Sequence, residues 1–204
     1  TGSEAETFGE QAALAAPSID APLEAVVEEE PAEMVPEEKK AEPEENAPSA
    51  ADIEKADQIE QQLAQAFEPG DKFQEGISVT ATDEGVTISV TDQLEFGMFE
   101  IGSAVPRREL VLAMEKISKA IGARRGTLTI SGHTDGRPFK GGAYDNWRLS
   151  TARAHAAYYM LVRAGLDERR VTEVAGFADR KLKEAGQPMA ASNRRIEILL
   201  EGGG

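Results

Sequence analysis

The sequence predicts an α/β sandwich, one sheet covered by a layer of helices, for residues 71–204. Two patterns predict it. Runs that alternate apolar and polar residues belong to strands with one buried face. They interleave with runs whose apolar residues recur every three to four positions, as one face of a helix requires. Charge marks the boundary: residues 1–70 hold 19 Asp/Glu against 3 Lys/Arg, and residues 71–204 hold 18 against 19, so the net −15 divides into −16 and +1. Seven of the ten prolines also precede residue 71.

Residues 1–50 carry Glu-rich blocks such as Glu28-Glu29-Glu30 between prolines, with Phe8 as their one aromatic residue. Apolar surface this sparse does not offset chain entropy, so a disordered acidic linker is expected there. Its reach would lie between about 40 Å for a flexible coil and about 150 Å for a fully extended Pro-rich chain.

Residues 51–70 read as one amphipathic linker helix. Ile53, Ala56, Ile59, Leu63 and Phe67 share a stripe, Ser49 with Asp52 supplies an N-terminal cap, and Pro69-Gly70 ends the run. Its length is marginal for an isolated helix, so the stripe needs a cover: its own domain, a second chain or a partner. Within the domain, Ile77, Val79 and Ala81 face Val86, Ile88 and Val90 across Asp83-Glu84-Gly85, a strand pair. Pro106 is expected to open a helix with stripe Leu110, Met114, Ile117 and Ile121, stopped by Gly122. Leu128 and Ile130 mark a strand ending at Gly132. A helix follows from about Trp147 to Ala164, with Trp147, Tyr158 and Leu161 as its core stripe. Val171–Ala175 is a further short apolar segment, and Ile196, Ile198 and Leu200 form the closing strand.

Asp135 follows a strand and Arg153 lies in the early turns of a helix, so a carboxylate and a guanidinium flank one Gly-rich loop. That pair suits a zwitterionic ligand, because an ammonium matches the first and a carboxylate the second. His133, Asp135 and Asp145 match no metal-ligand spacing, and no nucleophile elbow or paired-carboxylate motif is present. No enzyme activity, cofactor, metal or nucleic-acid partner is expected, and His133 is expected to bond across the loop. The absence of cysteine excludes disulfides and thiolate sites. No stretch approaches the roughly 20 apolar residues of a membrane span.

The ordered set Phe96, Gly102-Ser103-Ala104, Gly132-His133-Thr134-Asp135, Asn146 with Leu149-Ser150 and Arg153-Ala154, Gly176-Phe177 and Asn193-Arg194-Arg195 resembles the OmpA-like peptidoglycan-binding domain. Arg137-Pro138-Phe139 and the run from Asp145 to Ala154 are similar to its MotB branch, the flagellar motor stator subunits. The resemblance covers residues 75–201 and implies a β/α/β/α/β two-layer sandwich with a mixed sheet, acting by non-catalytic binding to the cell wall. It implies a periplasmic, homodimeric anchor that serves motility and chemotaxis. Partners would be peptidoglycan, through stem peptide and glycan, and a MotA-like subunit reached through a transmembrane helix ahead of this sequence. The long acidic linker leaves room for an additional periplasmic partner. By the same resemblance Asp135, with Thr134, receives the amino end of the diaminopimelate side chain and Arg153 the carboxylate. Asn146 either caps the second helix or contacts the ligand. Of Arg194 and Arg195, one is expected to support the site and the other to be solvated. Trp147 is near enough to the loop to line a sugar.

Overall fold

Strand alternation dictates which side of the sheet is covered. The computed structural model describes residues 47–68, 74–92, 97–138 and 145–202, all within the unit Pro43–Gly204. Residues 1–46 of the acidic linker, Pro69-Gly70, Phe96 and the loop 139–144 with Phe139 lie outside the described residues.

Helix α1 spans Ala50–Ala66. The Ser49 hydroxyl accepts the Asp52 N–H at 3.1 Å and donates to the Asp52 carboxylate at 2.6 Å, satisfying an orphan donor of the first turn. Ala56, Ile59, Leu63 and Phe67 are buried, while Ile53, expected in the same stripe, remains 46% exposed. Of the covers open to this stripe, the structure shows its own domain: α1 packs on the first two strands and on the next helix, and its buried residues join the single core cluster. Lys116 lies 3.9 Å over the Phe67 ring and closes the C-terminal end.

Strands β1 (Ile77–Ala81) and β2 (Gly85–Thr91) pair antiparallel through the expected turn. Gly85 has φ 144°, and a Cβ there would collide with the Leu200 carbonyl, so glycine is required. Helix α2 (Arg108–Gly122) buries Leu110, Met114, Ile117 and Ile121 as its spacing demands. Pro106 does not open it. It precedes the N-cap Arg107 and is bridged to Phe99, because the chain still pairs with residues 98–100 before it coils.

Strand β3 (Thr127–His133) leads to α3 (Asn146–Arg163), then to β4 (Val171–Gly176), parallel to β3. A parallel neighbour needs a crossover, which α3 provides. Strand β5 (Arg195–Glu201) enters between β2 and β3, antiparallel to both, giving the order β1-β2-β5-β3-β4 and the mixed sheet expected. Register aligns Val86, Leu200 and Leu128, then Ile88, Ile198 and Ile130, then Val90, Ile196 and Gly132. These rows face all three helices, the two layers of an OmpA-like α/β fold.

The open face carries Thr87, Thr129, Ser131, His133, Glu197 and Leu199, which line a hollow of about 250 Å³. On the covered face, a Cβ on Gly132 would overlap the Ser150 carbonyl, and one on Gly176 the Thr151 backbone. Both glycines let the start of α3 rest directly on the ends of β3 and β4. That contact sets the position of Arg153.

Candidate site at the edge of the sheet

The apolar row Val90, Ile196, Gly132 is the last on the covered side, and the next row outward carries charge. The Asp92 N–H donates to the Arg194 carbonyl at 3.0 Å, extending the β2–β5 ladder one step and setting the two side chains together. Arg194 then forks: Nε donates to Asp92 Oδ2 at 2.6 Å and Nη1 to Asp135 Oδ2 at 2.7 Å. Bonds this short between ionised partners are charge-assisted. Burial lowers the Arg194 guanidinium, but bonds to Asp92 and Asp135 outweigh it and hold the group above its ordinary value.

Asp135 is buried. Its Oδ1 accepts the Arg137 N–H at 3.2 Å, and Arg137 Nη1 stands 3.3 Å from Oδ2. A carboxylate offers about four lone-pair positions, so these three bonds and contacts leave it room for one more donor. Arg137 is 59% exposed and is the displaceable member of the set.

Arg153 reaches the same edge from the helix layer. It is 8% exposed, lies 4.9 Å over the Phe99 ring and donates from Nε to the Ser103 carbonyl at 3.0 Å. Burial pushes its guanidinium down, Asp92 and Asp135 pull it up, and Arg194 lowers it. Among the described residues no hydrogen bond joins Arg153 to Asp135. The structure therefore brings Asp92, Asp135, Arg153 and Arg194 into one cluster with Arg137 at its exposed edge, and Asp135 is already shared by Arg194 and Arg137 rather than standing as a free pole.

The remaining expected residues divide. Thr134 is buried and its N–H donates to the Ala178 carbonyl at 2.9 Å, while its hydroxyl has no partner. Asn146 does not cap α3. The cap is Asp145, whose carboxylate accepts the Arg148 N–H at 2.8 Å and whose charge complements the helix dipole. Asn146 instead donates from Nδ2 to the Arg137 carbonyl at 3.0 Å, tying the helix start to the Asp135 loop. Trp147 is not core. It is 46% exposed and lines an open hollow of about 390 Å³ with Arg148, Thr151, Ala152 and His155. Of the expected stripe, Leu161 is buried and Tyr158 only partly.

His133 faces Glu197 across the sheet on the opposite face. Its Nε2 is 3.0 Å from Glu197 Oε2, and its ring stacks on Phe177 at 5.5 Å. Arg195 is not the solvated arginine: it is buried, bonding Glu197 at 2.7 Å and the Lys181 carbonyl at 3.0 Å. Strand alternation is the reason, since Arg195 and Glu197 share the open face and neutralise each other there. Burial raises the Glu197 carboxyl, yet the His133 and Arg195 bonds overcome it and bring it down to about 2.

Sequence reasoning missed Asp92. Its signal was an acid directly after the β2 alternation, at the end that meets the arginine pair once β5 lies antiparallel to β2. Among the described residues no group of three or more His, Asp or Glu is arranged to hold a metal ion, and no helix is long and apolar enough to cross a membrane.

The OmpA family model matches residues 98–195. Motility protein B of Escherichia coli K12 is 33% identical over 127 residues, 61% of this chain and 41% of that protein. The chain spans between 38% and 56% of the length of the curated relatives it matches. Among solved structures, the cell wall anchor of the T6SS from Pseudomonas aeruginosa is 27% identical, covers 71% of this chain and 97% of its own, and superposes with TM-score 0.56. The periplasmic domain of Helicobacter pylori MotB shares the fold at 19% identity and TM-score 0.54, over 62% of this chain and 88% of its own. The family match spans α2, β3, α3 and β4 with Asp135, Arg153 and Arg194 of the site, and the fold agrees with it there: residues 98–195 of this chain are an OmpA family domain.

Proposed function

We propose that this chain is the periplasmic, wall-binding part of a MotB-like flagellar stator subunit and that it anchors the stator to peptidoglycan without catalysis. The observation that carries the reading is the cluster of two carboxylates and two guanidiniums at one edge of an OmpA family domain. A diaminopimelate side chain ends in an ammonium and a carboxylate, the complement of Asp135 and Arg153. Arg194 bonds Asp135, while Asn146 and Thr134 tie down the loop around it and are placed to meet the ligand with it, and Trp147 offers an exposed face to the glycan. The full-length protein would act as a homodimer beside a MotA-like subunit, joined to it by a membrane helix, and the acidic residues 1–46 would recruit any further periplasmic partner.

Another wall-anchoring role outside the flagellum is favoured by one observation, the 27% identity to the T6SS cell wall anchor. Co-sedimentation with purified sacculi tests the shared part of both readings. Wild type is expected to pellet and Asp135→Asn to stay in solution. Equal pelleting moves the site elsewhere on the domain, and failure of wild type to pellet overturns wall binding. Copurification of the full-length protein with a MotA-like subunit separates the stator role from the other.

A further inference from the structure

We infer that Asp92 is a positioning residue that sets both poles of the site, keeping Asp135 available to a ligand ammonium. The inference rests on the wall-binding reading and goes beyond it. One oxygen of Asp92 holds Arg194 Nε at 2.6 Å, and Arg194 Nη1 holds Asp135. Arg194 is thus divided between two carboxylates. A guanidinium shared in this way leaves part of the Asp135 charge to its second partner, the exposed Arg137, and that is the part a ligand ammonium can take over.

The other oxygen of Asp92 accepts the Met98 N–H at 2.6 Å. Met98 begins the segment that places Phe99 under Arg153 and the Ser103 carbonyl against Arg153 Nε. One side chain therefore touches the ammonium pole through Arg194 and the carboxylate pole through residues 98–103. Gly97, at φ 63°, turns the chain beside it, where a Cβ would stand 3.2 Å from Asp92 Oδ1. Nothing else described in the fold bonds to both arms.

Asp92→Asn separates the two contributions. The amide oxygen still accepts the Met98 N–H, so the Arg153 arm stays in place. The lost charge gives Arg194 wholly to Asp135. The measurement is calorimetric titration of the 204-residue chain with a muropeptide bearing free diaminopimelate, and with the same muropeptide acetylated on that amine. Asp92→Asn is expected to weaken binding of the free amine about tenfold, which is about 1.4 kcal/mol. Binding of the acetylated form should stay within twofold of wild type, and Asp92→Glu should restore the free-amine affinity. Equal losses for both ligands would mean a merely structural role and overturn the inference, as would wild-type affinity for the free amine in Asp92→Asn. Wild type binding neither muropeptide would instead overturn the wall-binding reading, and this inference with it.

Discussion

Glu197 offers a sharp test of the network on the open face of the sheet, because comparing wild type with a Glu197 variant across pH isolates one carboxyl. Its carboxyl falls from an ordinary 4.5 to about 2, with burial opposing and the His133 and Arg195 bonds prevailing. A carboxyl depressed in the folded state stabilises above its unfolded value, and the contribution is lost as pH falls toward the folded value. A shift of that size corresponds to about 3 kcal/mol at pH 7 and about 1.4 kcal/mol at pH 3. The side chain is 29% exposed, so solvent screening removes a modest share. Glu197→Gln keeps the shape and removes the charge at every pH. It is expected to lower Tm by about 6–12 °C at pH 7, at roughly 2–4 °C per kcal/mol for a unit of this size. The two proteins should approach each other between pH 5 and pH 3. Urea unfolding of both, at half-unit steps from pH 3 to pH 7, gives the difference directly. A constant offset across that range would refute the reasoning, because it would mean that shape and not charge holds Glu197.

Two further outcomes follow from the packing and the site. Ile59→Ala removes a fully buried side chain from α1 and is expected to cost about 2–5 kcal/mol in urea unfolding; a cost under about 1 kcal/mol would mean that α1 is not part of the core in solution. A truncation meant to isolate wall binding should therefore begin ahead of Ser49 and not at residue 71, since Leu63 and Phe67 would be lost as well. Arg153→Lys retains the charge but loses the planar stacking on Phe99 and the fork of donors, so muropeptide affinity should fall about tenfold, with some loss of Tm from the broken Phe99 and Ser103 contacts; full affinity would remove Arg153 from the ligand contacts.

Alternation at Ile77–Ala81 and Val86–Val90 was enough to locate a hairpin, and the three-to-four spacing of Leu110, Met114, Ile117 and Ile121 was enough to locate a buried helix face. Local periodicity carries that information because side-chain direction repeats within each element. The charge types flanking the Gly-rich loop, together with the resemblance and not the periodicity, supplied Asp135 and Arg153 as ligand residues. Pro106 and Asn146 were read two and one positions off their roles, since several residue types serve at a helix start and only the backbone shows which one caps. Trp147 fitted an apolar stripe, yet the start of α3 leaves it facing solvent.

By itself the sequence determined the elements, their buried faces and the charged character of the residues bordering the Gly-rich loop. Only the tertiary structure decided that β5 runs between β2 and β3, that α1 closes the core, and that Asp92, Asp135 and Arg194 meet. Those three residues lie on separate segments, and no local pattern links them. Their meeting depends on strand register, which is set when the apolar rows of the whole sheet find one common cover.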